Sequence, residues 1–196
     1  MIPSRLVLAT ANPDKVRELG EAVRGWGVGE VVSLAALAGV VCPPEGETSY
    51  EENAVAKARA VAGTTGLPAL ADDSGLEVDA LGGAPGVRSA RYASTDAARV
   101  ARVLAALAGV PAVGRGATFR CVVALVWPDG RAVVAEGACT GRIATAPTGE
   151  GGFGYDPIFF ADDLGRTFAE APPGDKARVS HRARALRALG DRLRRA

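Results

Sequence analysis

The chain has 196 residues, of which 48% are hydrophobic and 23% are charged, a composition typical of globular proteins that excludes global disorder. The longest uncharged stretch among the first fifty residues, 31–44, contains glycine and proline and is too short to span a bilayer, so we expect no membrane partner. Residues 176–196 hold eight basic residues and one acid within an overall charge of +1, which either polyanion binding or a solvated helix face would explain.

The cysteines and the histidine exclude two further classes of protein. Cys42, Cys121 and Cys139 form neither a CxxC pair nor an even set, and each has apolar neighbours. We therefore expect buried, reduced thiols in a cytoplasmic protein. A zinc site is not expected, because His181 is the only histidine.

The first half of the chain alternates between strand and helix patterns. Apolar runs predict strands, and apolar positions at helical spacing after capping residues predict helices. The predicted elements are a strand at 5–9, a helix opened by Asn12 and Pro13, a helix from Tyr50 to about Ala62, a strand at 67–72 and a helix capped by Thr95 or Asp96.

The second half begins with a predicted hairpin. The runs 117–127 and 132–140 are rich in β-formers and flank a Pro-Asp-Gly turn. A glycine-rich loop at 148–154, a short strand at 158–160 and a last helix from near Asp175 follow. We expect an α/β fold with a mixed sheet, and a single domain over residues 1–196.

The lysines are the first candidates for chemistry. Of 23 basic residues, 20 are arginine and three are lysine, namely Lys15, Lys57 and Lys176. A chain so biased toward arginine is expected to keep lysine where a compact point charge is required, since the guanidinium group is a poor substitute there. The three lysines and His181 are therefore candidate functional residues.

Three segments are candidates for phosphate and metal binding. Residues 10–15 lie where a strand meets a helix, whose N-terminus attracts anions; an ordinary capped helix with a surface lysine is the alternative. Asp72 and Asp73 follow an apolar strand and are expected on opposite sides of it. Their oxygens suit Mg²⁺, although a solvated turn would also explain them. The acidic segment 43–47 could add a second carboxylate.

Two later segments are candidates for binding the rest of a ligand. Residues 151–157 combine glycines, two aromatic rings and Asp156, a pattern that could stack a flat base; a tight loop with core aromatics is the alternative. Residues 176–182 group Lys176, Ser180, His181 and Arg182 as hydrogen-bond donors, or form a solvated basic face. Together, the five segments predict a pocket for a nucleoside triphosphate.

At these residues the sequence resembles the inosine triphosphate pyrophosphatase family. The matching motifs run from Leu6 nearly to Leu193 and are "LATANPDKVRE", "SYEENAVAKA", "ADDSGLEVDALGGAPGVRSARYA", "GGFGYDPIFF" and "KARVSHRARAL". The resemblance implies Mg²⁺-dependent hydrolysis of the triphosphates of inosine, deoxyinosine and xanthosine (ITP, dITP and XTP) to the monophosphate and pyrophosphate. It also implies an elongated mixed sheet with flanking helices forming two lobes around a central cleft, and a homodimer.

The resemblance also assigns roles to residues. Asp73 matches the catalytic aspartate, which binds the metal and accepts a proton from the attacking water. The implied substrate-binding residues are Thr10, Ala11, Asn12, Pro13, Asp14, Lys15, Lys57, Ser74, Phe153, Gly154, Tyr155, Asp156, Lys176, His181 and Arg182. The segment 44–50 departs from the family pattern, so the second metal-binding acid is Glu45 or Glu47, and Glu45 is preferred.

Two other functions remain open at this stage. A non-catalytic nucleic-acid-binding protein would explain the basic C-terminal segment but not Asp72, Asp73 or the glycine-rich aromatic loop. An enzyme with the same chemistry could instead act on other modified nucleotides. We expect the pyrophosphatase function, with a purine nucleotide rather than a nucleic acid as partner.

Overall fold

The computed structural model describes residues 2–195 and has the predicted mixed α/β fold. The strands are β1 (Arg5–Leu8), β2 (Glu30–Ser33), β3 (Ala69–Val78), β4 (Gly116–Val126), β5 (Ala132–Ile143), β6 (Phe159–Ala161) and β7 (Arg166–Thr167). The helices are α1 (Pro13–Arg24), α2 (Tyr50–Thr65), α3 (Asp96–Ala106), α4 (Pro173–Val179) and α5 (His181–Arg195). Within the described residues, every helix is too short or too polar to cross a bilayer.

The seven strands form one mixed sheet in the order β2-β1-β3-β4-β5-β6-β7. β1 pairs in parallel with both β2 and β3, whereas β6 pairs antiparallel with β5 and β7. The predicted turn joins β4 to β5, and the backbone N–H of Gly130 donates to the carbonyl of Trp127 there. The sequence patterns do not predict β2 or β7.

The chain divides into two compact units. The first unit comprises the chain up to Asp73, Cys121–Gly137 and the chain from Arg182, and the second comprises Ser74–Arg120 and Ala138–His181. The single domain expected over residues 1–196 stays a prediction.

In the first unit, strand residues alternate between two apolar clusters. Leu70 of β3 packs with α1 and α5, whereas its neighbours Ala69 and Ala71 pack with α2. β1 and β4 alternate in the same way, since Leu8 and Val123 join the first cluster and the residues on either side of each join the second. Because both sides of these strands are covered, their sequences are nearly continuous apolar runs.

The second unit has its own core. Leu76 and Val78 of β3 pack there with Val100 and Val103 of α3. The rest of this core is rich in aromatic side chains, which are Phe119, Tyr155, Phe159 and Phe168.

Two predicted elements are wrong in extent. The strand predicted at 67–72 runs on to Val78, because Leu76 and Val78 continue the buried alternation. Asp72 and Asp73 therefore lie in mid-strand, not at a strand end or in a solvated turn. The last helix is two helices, because Ser180 adopts an extended conformation with ψ 153° between α4 and α5. Serine is favoured before a helix start.

Substitution of Gly141 tests the close pairing of β5 with β6. A Cβ at this position would overlap the carbonyl oxygen of Phe160 and lie 2.8 Å from the ring of Phe159. We expect Gly141→Ala to lower the free energy of unfolding by about 1–3 kcal/mol, measured by urea denaturation. Gly63→Ala, in an open position of α2, is the matched control and should stabilise by roughly 0.5–1 kcal/mol. Equal effects of the two changes would contradict the close approach.

Candidate active site

The segment 10–15 forms a capped helix start in the first unit. The Asn12 side-chain oxygen accepts hydrogen bonds from the backbone N–H groups of Asp14 (2.9 Å) and Lys15 (3.2 Å), and Pro13 is the first helical residue. The hydroxyl of Thr10 accepts from the N–H of Asn12 at 3.2 Å. These bonds confirm the predicted cap at the start of α1.

Asp72 and Asp73 lie on opposite sides of β3, as expected for neighbours in a strand. Asp72 follows Leu70 by two residues and shares its side with α1 and α5, whereas Asp73 follows Ala71 and shares its side with α2. The two carboxylates therefore have different partners, although they are adjacent in sequence.

Asp72 binds the cationic side chains of α1 and α5. Its Oδ2 lies 3.0 Å from the Lys15 ammonium and accepts from Nε and Nη2 of Arg182 at 3.1 and 3.0 Å. Arg182 Nη1 also donates to Glu18 at 2.6 Å. Burial opposes the charge on Asp72, but Lys15, Arg182 and Lys57 outweigh it and hold the pKa of the carboxyl below its usual range. Asp72 is thus a buried anion that joins α1 and α5 to β3.

Asp73 binds the side chains of α2. Asn53 Nδ2 donates to Asp73 Oδ2 at 2.8 Å, and the Lys57 ammonium lies 3.5 Å from Oδ1. Burial raises the pKa of the Asp73 carboxyl above its ordinary value, and it outweighs the opposing effects of Lys57 and Asn53. A carboxylate with a raised pKa is a better proton acceptor, which suits a general base.

Lys57 joins Asp73 to the acidic segment before α2. Its ammonium lies 2.8 Å from Glu45 Oε1. Burial lowers the pKa of Lys57, but the nearby carboxylates Asp72, Asp73 and Glu45 raise it by more than burial lowers it. The net shift of the pKa is therefore upward. Lys57 is therefore a buried, protonated cation that holds two carboxylates near one point.

Asn53 is a site residue that sequence analysis missed. Besides binding Asp73, its side chain accepts from the N–H of Gly46 at 2.7 Å and donates to the carbonyl of Gly46 at 3.2 Å. It thereby holds the segment that carries Glu45. The signal available in the sequence was spacing, because Asn53 lies four residues before Lys57 and the two therefore share a face of the predicted helix.

Glu45 and Asp73 have the chemistry of a Mg²⁺ site. Both carboxylates contact the same cation, the Lys57 ammonium, and carboxylate oxygens are ligands that Mg²⁺ prefers. Residues 2–195 contain no group of three or more His, Cys, Asp or Glu side chains placed to hold a metal. Mg²⁺ commonly uses one or two carboxylates, completed by water and substrate phosphates, so the residues present fit this ion. Glu47 is exposed, which supports the preference for Glu45.

The glycine-rich loop of the second unit is organised by Asp156. One carboxylate oxygen, Oδ2, accepts from the N–H of Phe153 at 2.9 Å and from the Lys176 ammonium at 2.6 Å. The same ammonium lies 4.6 Å from the centre of the Phe153 ring. Gly152 has a φ of 71°, and a Cβ there would overlap Asp156. A glycine is therefore required where the loop closes around this ion pair.

Gly154 and Tyr155 make contacts that sequence analysis did not anticipate. The N–H of Gly154 donates to Asp96 at 2.8 Å, and the Tyr155 hydroxyl donates to the carbonyl of Ser89 at 2.9 Å. Tyr155 is buried in the aromatic core, and burial raises the pKa of its hydroxyl. The alternative of core aromatics thus describes Tyr155, whereas Phe153 is only partly buried.

The remaining predicted site residues are His181, Ser74 and Arg182. His181, the first residue of α5, is buried and stacks on Phe119. Ser74 follows Asp73 in β3 and is half-buried. Arg182 is buried, which excludes the solvated-face alternative at this position, whereas Arg187, Arg194 and Arg195 are exposed as that alternative predicts.

The structure therefore gathers the predicted residues into two groups. The first unit holds the charged group, which comprises Lys15, Glu45, Lys57, Asp72, Asp73 and Arg182. The second unit holds the aromatic group, in which Phe153, Asp156 and Lys176 contact one another.

Comparison with known proteins gives full-length matches. The chain is 50% identical to a dITP/XTP pyrophosphatase of Yersinia pseudotuberculosis, covering 97% of this chain and 98% of that one. It is 51% identical to a dITP/XTP pyrophosphatase of Thermus thermophilus, covering 94% and 89%. A HAM1 protein from Coxiella burnetii superposes with a TM-score of 0.84 at 42% identity, covering 98% and 99%.

The family match covers the segments that carry both groups of residues. The sequence model of the Ham1 family matches residues 6–192, a range that includes every candidate site residue named above. The match confirms the resemblance found from the five motifs. The chain belongs to the Ham1 family.

Proposed function

We propose that this chain hydrolyses non-standard purine nucleoside triphosphates, such as ITP, dITP and XTP, to the nucleoside monophosphate and pyrophosphate. The observation that carries the proposal is the pair of carboxylates, Glu45 and Asp73, that meet at the Lys57 ammonium. The relatives named dITP/XTP pyrophosphatase support the same reaction. This function removes unwanted nucleotides from the precursor pool.

Electrostatics explains why the charged group suits a triphosphate. A triphosphate carries roughly four negative charges, which oppose attack by water, and positioned cations lower this barrier. We assign Lys15 and Lys57 to the phosphate oxygens of the leaving pyrophosphate. The backbone of residues 10–15, at the start of α1, adds the partial positive charge of a helix N-terminus.

We assign Mg²⁺ to Glu45 and Asp73. When bound, the ion would neutralise phosphate charge and orient the attacking water. The water oxygen forms a bond to the α-phosphorus, and the bond from that phosphorus to the bridging oxygen breaks, so pyrophosphate leaves. Asp73 Oδ accepts the proton that the water loses, a role that its raised pKa favours.

We assign recognition of the base to the second unit and to the start of α5. Hypoxanthine and xanthine present a 6-oxo acceptor, whereas adenine presents a 6-amino donor, and a donor from His181 suits the former. Phe153 supplies an aromatic face for stacking. Direct donation from Arg182 to a base stays a prediction, because three of its N–H groups already bind Asp72 and Glu18.

We further infer a homodimeric, cytoplasmic enzyme that does not use a nucleic acid as its partner. The three free thiols, all within the described residues, support a reducing compartment. The burial of Arg182 against Asp72 and Glu18 leaves fewer basic side chains on α5 for a polyanion than the sequence count implied.

A substrate panel tests the proposed function. With pyrophosphate release as the readout, we expect turnover of ITP, dITP and XTP and a preference over ATP of as much as about 10⁴-fold, because a donor aimed at the 6-oxo group clashes with a 6-amino group. A modified pyrimidine triphosphate tests the rival nucleotide specificity. In a separate experiment, chelation of divalent cations should abolish the release of pyrophosphate, and added Mg²⁺ should restore it.

Two results would contradict the proposed function, and a third would support the nucleic-acid-binding alternative. Release of phosphate instead of pyrophosphate would contradict the reaction, and a preference for the pyrimidine would contradict the substrate class. Salt-dependent binding to DNA or RNA without Mg²⁺-dependent turnover would support the nucleic-acid-binding alternative.

Replacement of Asp73 tests its catalytic role. Asp73→Asn keeps the shape of the side chain but removes the charge that binds metal and accepts a proton. We expect kcat for ITP to fall by at least about 10³-fold, with an unchanged circular dichroism spectrum. Glu51→Gln, the same kind of change at an exposed residue of α2, is the control and should keep full activity. Near-normal turnover by Asp73→Asn would refute the assignment.

A further inference from the structure

The only histidine of the chain lies flat against a phenylalanine that the site assignment does not include. The ring centres of Phe119 and His181 are 4.5 Å apart, and the ring planes differ by 10°. Phe119 is 7% exposed and His181 is 4% exposed. Two buried flat rings in this arrangement restrict each other's orientation.

Phe119 is itself held by other aromatic rings of the second unit. Its ring centre lies 4.6 Å from that of Phe159 and 6.0 Å from that of Phe168, and its plane is within 15° of the Phe168 plane. Phe159 and Phe168 also contact each other at 5.1 Å. The plane of Phe119 is therefore set by the core and not by a ligand.

The direction of a histidine N–H follows from the plane of its ring. The imidazole donors lie in that plane, so a rotation of the ring moves the donor away from an acceptor at a fixed place. A site that discriminates by a hydrogen bond loses its selectivity when the donor is displaced. Packing that fixes the His181 plane thus bears on selectivity.

We propose that Phe119 is a specificity-determining positioning residue, which holds the His181 imidazole in the plane required to donate to the 6-oxo group of the purine. This inference rests on the proposed function, because it assumes that His181 reads the base. Phe119 itself contacts neither the base nor the phosphates in this role. Loss of the Phe119 ring should therefore reduce the preference for ITP over ATP more than it reduces the rate of ITP hydrolysis.

Kinetics on Phe119 variants provides the first test. We expect Phe119→Leu to lower the ratio of kcat/KM for ITP to that for ATP at least about tenfold, because the donor is no longer aimed. Phe119→Tyr keeps the aromatic face and should keep most of the ratio. Phe160→Leu, the same change at a ring of β6 that faces the Arg142 guanidinium, is the control and should leave the ratio unchanged. If Phe119→Leu does not fold, Phe119→Met replaces it in the same kinetic test, with the same expected result.

Nuclear magnetic resonance provides a readout that does not depend on activity. Because the chain has one histidine, its imidazole gives a single set of resonances. The stacked ring should shift these signals upfield in the wild type and in Phe119→Tyr, and Phe119→Leu should move them toward the position of free histidine.

Three results would overturn the inference. These are unmoved imidazole signals in Phe119→Leu, an unchanged ITP to ATP ratio although the signals have moved, or an equal loss of the ratio in Phe160→Leu. Failure of the proposed function looks different, since the wild type would then show no preference for ITP while the upfield imidazole signals persisted.

Discussion

The alternation of side chains along β3 is the constraint on which the candidate site depends. Neighbouring residues of a strand point to opposite sides, so adjacent aspartates contact different helices. Asp72 binds Lys15 of α1 and Arg182 of α5, and Asp73 binds Asn53 and Lys57 of α2. One carboxylate is thereby assigned to holding the fold and the other to chemistry, although both come from the same dipeptide.

The opposite pKa shifts of the two aspartates follow from their partners. Burial disfavours the charge of each, but the cations around Asp72 outweigh burial, whereas those around Asp73 do not. A permanently charged Asp72 keeps Arg182 and Lys15 in place. A more basic Asp73, close to Glu45 and Lys57, has the properties expected of a group that binds a cation and accepts a proton.

Local sequence patterns predicted the helix starts, the hairpin and the opposite directions of Asp72 and Asp73, because capping residues, turn residues and strand periodicity act over a few residues. They did not predict the extent of β3 or the break at Ser180, since both depend on packing against distant segments. The lysine count pointed to Lys57 and Lys176, each of which is in a buried ion pair. Asn53 and Phe119 were missed, because an amide in a helix and a ring in a strand acquire their roles only through their partners.

The paired substitutions Asp72→Asn and Asp73→Asn test the division of roles most directly, through the free energy of unfolding in urea. Loss of the Asp72 charge leaves Arg182 and Lys15 without their shared carboxylate, so a decrease of about 3–5 kcal/mol is expected. Loss of the Asp73 charge removes a carboxylate that burial already disfavours, so a change of less than about 1 kcal/mol is expected. Equal losses from the two adjacent substitutions would contradict the account.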